Sequence, residues 1–360
     1  MDKASDIISF YKGKKVFITG HTGFKGTYLT KLLVDAGASV TGYSLNPPTS
    51  PSLFELIGLE DEMESVIGDI RDMDKLWEAF EKADPEIVFH LAAQPLVRYS
   101  YEEPRLTYET NVMGTVNMLE CVRRTPSVRS FLNVTTDKVY ENNDLDMAFS
   151  EDMPLDGYDP YSNSKSCSEL VTHSYKKSFF SSPQSPAIST ARAGNVIGGG
   201  DFALDRIVPD CVRAAEKGEN IVLRNPQAIR PYQHVLEPLL IYLEIAKSTF
   251  ESKEKEGYYN VGPDISDCIS TGDIATKFAE SWGKGMEVMV KRDDGPHEAS
   301  FLKLDCRKLK DVFGWRSVWN IDEAIKKTVE MSRVYIEKGD LKKEMERQIA
   351  AYIKAANDKW

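Results

Sequence analysis

The chain is poor in the features that build stapled, metal-bound or membrane-embedded proteins. Its five cysteines, Cys121, Cys167, Cys211, Cys268 and Cys306, are widely scattered, with no CxxC pair and no neighbouring histidine set. No zinc-ligand pattern results and no metal is expected. An odd, dispersed set of thiols in 360 residues reads as reduced cysteines of a cytoplasmic protein. No run of about 18 apolar residues occurs, and Met1 to Lys15 lacks the apolar stretch of a signal peptide. Positive charge is short as well. A net charge of -11 argues against nonspecific binding of nucleic acid or membrane surfaces, so an anionic ligand must be met by a few placed cations. Low-complexity tracts and internal repeats are missing, which leaves the composition of an ordinary globular protein.

What is present is an alternation of strands and helices. Lys15-Val16-Phe17-Ile18-Thr19 is a short β-branched run that ends in Gly20-His21-Thr22-Gly23-Phe24-Lys25-Gly26, and Tyr28, Leu29, Leu32 and Leu33 then fall at helical spacing. Further strands are expected at 38–43, 65–69, 87–93, 130–135 and 187–191, with helices at about 74–82, 104–124 and 161–179 between them. Such a series predicts an α/β fold: a doubly wound parallel sheet, wound right-handedly and covered on both faces. The pattern changes after Gly194, where a smaller mixed α/β lobe for substrate should begin. The expected division is a Rossmann domain over 1–195 with a returning segment at about 230–260, a substrate lobe from 196–229 and 261–320, and a helical tail over 321–360. The returning segment is a helix at 235–250, and the tail divides near Gly339.

Glycine is required where backbone must approach a pyrophosphate without a Cβ in the way, and the helix that follows aims free N–H groups at the anion. Gly20, Gly23 and Gly26, placed after a strand and opening a helix, point to a dinucleotide. Lys25 either adds a cation for phosphate or is solvated. The second strand ends Tyr43-Ser44-Leu45-Asn46, which lacks the carboxylate that usually holds ribose hydroxyls and also lacks an arginine for a 2'-phosphate, so NAD is expected over NADP. Asp69, with Ile70, is placed either to meet the adenine or to cap the next helix.

Tyr161 and Lys165 stand one helical turn apart, directly after Asp159-Pro160 and downstream of a strand ending in Thr135-Thr136. A tyrosine serves as a base only if its pKa of about 10 is pulled down, and a nearby lysine with a positively charged nicotinamide would do so. Thr136 can bond the hydroxyl being oxidised, Tyr161 can accept its proton and Lys165 can hold the nicotinamide ribose. Asp137 and Lys138 add an acid and a base that a simple alcohol dehydrogenase does not need; the plainer alternative is a local ion pair or a phosphate contact.

The glycine run, Leu91-Ala92-Ala93-Gln94, Asn111 and the Tyr161/Lys165 pair resemble the nucleotide-sugar branch of the extended short-chain dehydrogenase/reductase superfamily. Gly20 to Gly26, Gln94-Pro95-Leu96-Val97-Arg98, Thr135-Thr136-Asp137-Lys138, Asp159-Pro160-Tyr161-Ser162, Ala191 to Asp201 and Arg230-Pro231-Tyr232-Gln233-His234-Val235 resemble the CDP-glucose 4,6-dehydratases, over about residues 14 to 318. Val139, where cysteine is common, and Tyr232, where tryptophan is common, depart from that pattern. The resemblance implies transient oxidation at C4 by bound NAD, loss of water across C5 and C6, and return of the hydride to C6. It implies Thr136, Asp137, Lys138, Tyr161 and Lys165 as catalytic, with Asp137 the acid for the departing C6 hydroxyl and Lys138 the base at C5, where dTDP-glucose relatives carry glutamate. Cofactor contacts are expected from Gly20, Thr22, Gly23, Phe24, Gly26, Asp69, Ile70, Leu91, Ala92, Ala93, Tyr161 and Lys165.

For the substrate, CDP-glucose, the expected contacts are Gln94, Arg98, Asn195, Arg206, Arg230 and His297, with Arg230 first at the diphosphate. Each of these also has a plainer reading as a surface ion pair or turn residue. Asp137 acts as an acid only if burial outweighs the cations around it. The helices at 104–124 and 161–179 match those that form dimer interfaces in the superfamily, so a homodimer or a dimer of dimers is expected. A nucleotide-sugar epimerase, a dehydratase for another nucleotide sugar and a noncatalytic NAD-binding protein are the competing classes. Asp137 and Lys138 count against an epimerase, and the intact catalytic set counts against the last.

Overall fold

The computed structural model describes residues 2–283, 285–291 and 301–360. Seven parallel strands form one sheet: β1 (Lys15–Thr19), β2 (Ser39–Ser44), β3 (Glu64–Ile67), β4 (Ile87–His90), β5 (Ser130–Thr136), β6 (Ala187–Ala193) and β7 (Tyr258–Val261). Their spatial order is 3-2-1-4-5-6-7. It reverses between β1 and β4, and ligands of such sheets bind in the crevice beyond the strand C-termini at that point. The registers set Thr19 beside both Tyr43 and His90, and Thr136 beside Ala193.

Successive side chains of a strand point to opposite faces, and each face of this sheet carries its own core. Ile18, Phe89 and Leu132 face Leu29, Leu33, Leu240 and Tyr352 on one side. Their neighbours Phe17, Val88 and Phe131 face Leu76, Phe80, Leu119 and Val122 on the other. Burial on both faces explains the unbroken apolar character of these strands. A third core, with Ile197, Val208, Tyr232, Ile274, Phe278 and Val329, lies under the short strand pairs beyond β6. Those pairs join Val196–Ile197 to Gln233–His234, Ile229–Pro231 to Cys268–Ser270, and Ile221–Leu223 to Val288–Val290.

The helix Leu236–Glu251 returns to pack beneath β5, and Ile321–Ile336 and Leu341–Lys359 form the two tail helices. The helical run expected over 104–124 is interrupted: Pro104–Tyr108 and Gly114–Arg124 are α-helical, and Glu109–Met113 between them is a π turn. Asn111 within that turn bonds outward, its Oδ1 accepting from the Gln94 amide at 2.8 Å and its Nδ2 donating to Ser164 Oγ at 2.8 Å. No helix among the described residues is long and apolar enough to cross a membrane.

Candidate active site

The strand C-termini open into a cavity of about 1540 Å³ that holds the glycine loop at one end and Arg230 at the other. Gly20 has φ +80°, and a Cβ there would meet the Ala92 amide nitrogen at 2.9 Å. A Cβ on Gly26 would drive into the Gly20 carbonyl oxygen. Gly23 differs, since a Cβ there would have 3.5 Å to its nearest neighbour and would project into the ligand space instead. Gly23 caps the helix Phe24–Asp35 without a side chain, so the free amides of its first turn face the cavity. Thr22 ties the loop to the end of β2, its hydroxyl 2.8 Å from Ser44 Oγ and donating to Leu45 O at 2.9 Å. The Leu91 and Ala92 amides both donate to Thr19 Oγ1 at 3.1 Å, which fixes the 91–93 backbone on the cavity wall with Phe24 opposite.

Asp69 lies on the cavity wall and does not cap the next helix; Asp72 does, accepting from the Lys75 amide. Its carboxylate is gripped by Arg71 at 2.6 Å, which holds its pKa below the usual range. Arg71 in turn reaches Glu109 at 3.3 Å. Ile70 is buried next to Gly114.

The helix Pro160–Phe179 carries the tyrosine and lysine. Proline occupies its first position and Asp159 caps it, accepting from the Ser162 amide at 2.9 Å. Tyr161 is half-buried on the cavity wall, which Thr136 also lines. Its pKa is pushed up to about 12 by burial. Lys165 aims elsewhere: its Nζ donates to Val134 O at 2.9 Å, and burial lowers its own pKa to about 8. The Lys165 ammonium is thus directed at the strand.

Asp137 follows β5 in a 3-10 turn and is 1% exposed. Its Oδ1 accepts from Thr136 Oγ1 at 3.0 Å, and its Oδ2 has no hydrogen-bond partner among the described residues. Burial raises its pKa, outweighing Lys138, Thr136, Arg230 and Lys25, which all pull it down. The carboxyl is therefore biased towards its protonated form by the protein alone. Lys138 is half-buried on the same wall, and no ion pair joins it to Asp137 among the described residues.

Beyond the turn stand the candidate substrate contacts. Arg230 is 5% exposed and Arg206 pairs with the buried Asp201 at 3.3 Å; both line the cavity with Asn195 and Arg98. Gln94, expected at the substrate, is engaged by its own surroundings: Nε2 donates to Thr107 Oγ1 at 2.9 Å and Oε1 accepts from the Leu96 amide at 2.6 Å. It braces the 94–96 turn. His297 lies outside the described residues.

A profile of the family described as GDP-mannose 4,6 dehydratase matches residues 17–328, which takes in the glycine loop, β5 and the tyrosine helix. The chain belongs to this family. Among 4,6-dehydratases, the CDP-glucose 4,6-dehydratase of Salmonella typhimurium is 45% identical, over 96% of this chain and 98% of that one. The solved dTDP-glucose 4,6-dehydratase of Bacillus anthracis, in complex with NAD, superposes with a TM-score of 0.75 at 20% identity, covering 90% of this chain and 98% of its own. The UDP-glucose 4-epimerase of Thermus thermophilus, in complex with NAD, gives 0.72 at 25% identity, covering 88% and 98%. The fold is thus shared by dehydratases and epimerases, and the residues at the end of β5 must separate them.

Two features of this 4,6-dehydratase site were not legible as such in the sequence. Lys25, left open between phosphate contact and solvation, lines the cavity with a pKa lowered to about 8 by burial, Arg206 and Lys165, and partly restored by Asp137. The second is a buried cluster behind the tyrosine helix, where Arg192 and Glu169 pair at 3.0 Å with neither side chain exposed. A charged residue at every fourth helical position ordinarily signals a solvated face, so only packing could have shown it.

Proposed function

We propose that the chain converts CDP-glucose to CDP-4-keto-6-deoxyglucose and water, with NAD as cofactor. The observation that carries this reading is Asp137, a buried carboxyl with one oxygen unpartnered among the described residues, set on the cavity wall beside Thr136, Lys138 and Tyr161. An epimerase needs no acid or base there. The close relation to the Salmonella enzyme supports the choice of nucleotide. The glycine loop, the 91–93 backbone and Lys165 fit NAD, with the first-turn amides placed for its pyrophosphate. Bound there, NAD supplies a reversible acceptor for the C4 hydride, which returns at C6.

The chain's own groups manage the protons. Thr136 and Tyr161 hold the C4 hydroxyl, and Tyr161 takes its proton. Lys138 removes the C5 proton, and Asp137 protonates the C6 hydroxyl as it leaves; Lys138 later returns its proton to C5. Each turnover leaves Tyr161 with one proton more and Asp137 with one fewer. A proton relay from Tyr161 to Asp137, past the Thr136 hydroxyl that donates to Asp137, closes the cycle. Arg230, Arg206 and Arg98 meet the diphosphate and Asn195 the sugar or phosphate, with Arg206 coming from a lobe built from 196–229 and 261–320. The exposed Met113, Leu170 and Phe179 on the 104–124 and 160–179 helices support a homodimer, and a cytoplasmic location accords with nucleotide-sugar chemistry.

The test is incubation with CDP-, dTDP-, GDP- and UDP-glucose, followed by the alkaline absorbance of 4-keto sugars. Product from CDP-glucose without net NADH is expected. A C4-inverted sugar would make the chain an epimerase, and no product from any nucleotide sugar would sink the reading.

A further inference from the structure

The buried cluster behind the tyrosine helix has no part in the chemistry above, yet it joins that helix to β5, which ends in Thr136. Glu169 stands one helical turn beyond Lys165. Its Oε1 accepts from Thr135 Oγ1 at 2.5 Å, and its Oε2 accepts from Thr190 Oγ1 at 2.8 Å and Arg192 Nη2 at 3.0 Å, with His173 Nε2 at 3.1 Å. Arg192 also donates to the Tyr140 hydroxyl at 2.9 Å and to Glu151 O at 3.0 Å. Lys165 and Glu169 therefore bond consecutive residues of β5, Val134 and Thr135, immediately before Thr136. This double attachment sets the register of the helix against the strand where Tyr161 and Thr136 line the cavity.

The electrostatics follow the same line. Burial lowers the pKa of Lys165 to about 8, and Glu169 opposes that fall. Burial works to raise the Glu169 carboxyl too, but Arg192 and the bonds above hold it at about 2, so its charge is permanent in the working range. The other charged and titratable groups around Lys165 are Lys25 from the glycine-loop helix and neutral His90 from β4; around Glu169 they are His173, Tyr140 and Tyr258.

We propose that Glu169, with Arg192 as its counter-ion, is a positioning residue that keeps Lys165 charged and in place at the end of β5. The proposal rests on the reading of Tyr161 and Lys165 as the hydride-handling pair. Removing the carboxylate removes that opposition and drives the Lys165 proton off at lower pH. Removing the guanidinium releases the Glu169 carboxyl to the rise that burial imposes, so the lysine loses its proton at lower pH there too. A purely structural cluster would lower stability or turnover in both variants without moving the titration of the lysine.

The experiment reads the lysine directly. Acetylation of Lys165 by acetic anhydride, followed by peptide mass spectrometry across a pH series, reports its titration in the cofactor-free protein. Glu169→Gln is expected to move the midpoint down by about one pH unit or more and Arg192→Met to move it down by less, with the alkaline limb of turnover displaced in the same direction. Glu169→Asp, which keeps the charge but withdraws it by one methylene, moves it down by less. If either single variant fails to fold, the other and Glu169→Asp carry the test. Midpoints within a few tenths of the parent's, or labelling shifts that turnover does not follow, would overturn the proposal. Absence of turnover in the parent would refute the substrate reading and leave the labelling result to decide this one.

Discussion

Tyr161 with a pKa near 12 cannot serve as a base at neutral pH without help, and the size of that help can be worked out. At pH 8 such a phenol is ionised in about one molecule in 10⁴. Bringing its pKa to about 8 requires a drop of about 4 units, or roughly 5 kcal/mol of differential stabilisation of the phenolate. Burial is the main cause of the elevation, and Lys165 is turned towards Val134 O, so the protein alone does not supply this. Binding of oxidised cofactor must, through its positive ring and by drawing Lys165 towards the ribose. By reciprocity, NAD then binds the phenolate form about 10⁴-fold more tightly than the phenol form. The assay is the alkaline ultraviolet difference spectrum of the parent minus Tyr161→Phe, which isolates one phenol among sixteen tyrosines. Without NAD no step is expected below about pH 11; with saturating NAD a step is expected near pH 8. A step at the same pH in both conditions refutes the argument.

Three other perturbations separate binding, folding and chemistry. Gly26→Ala forces a Cβ into the Gly20 carbonyl and should destabilise the protein by about 1–3 kcal/mol, while Gly23→Ala should leave thermal unfolding nearly unchanged and weaken NAD binding roughly 10–100-fold by calorimetry. Equal unfolding temperatures for the two variants would contradict the loop geometry. Asp137→Asn should lower turnover by about 10²–10⁴-fold and raise stability at neutral pH. The sign follows from its raised pKa: the stabilisation from proton binding is present at acid pH and is lost as pH rises through the folded pKa, and asparagine has no such loss. A variant less stable than the parent at pH 7 would count against it. Lys138→Ala should keep NAD affinity and lose most dehydration, and unchanged turnover would remove Lys138 from its role.

The sequence made the sheet and the end of β5 visible for physical reasons. Strands buried on both faces must be apolar throughout, and a pyrophosphate loop must lack Cβ atoms, so Val16 to Gly26 could hardly hide. Tyr161, Lys165, Asp137 and Lys138 carry their chemistry in their type and spacing, and the structure gathers them on one wall. What stayed hidden depends on contacts between distant segments. Gln94 is a hydrogen-bonding residue in a site motif, but its amide is taken up by Thr107 and Leu96, which no local pattern reveals. The helix cap fell to Asp72 and not Asp69 because the helix begins at Met73, directly after Asp72. The direction of the Lys165 ammonium, towards Val134 O, was hidden as well, because proximity along a helix says nothing about where a lysine points.

The π turn at Glu109–Met113 closes from each residue to the fifth beyond it, and so holds one residue more than the α turns on either side. Everything from Gly114 onward is consequently turned by about 100° about the helix axis, relative to an uninterrupted helix. One rod thereby has two working sides. Asn111, within the step, grips Gln94 and, on the tyrosine helix, Ser164; after it, Thr115 meets Ser168 of that helix at 2.8 Å and His90 at 3.2 Å, and Asn117 reaches the Ile70 carbonyl at 3.0 Å on the cofactor side. Deleting a single residue there would straighten the rod, and its two halves could no longer hold both partners at once.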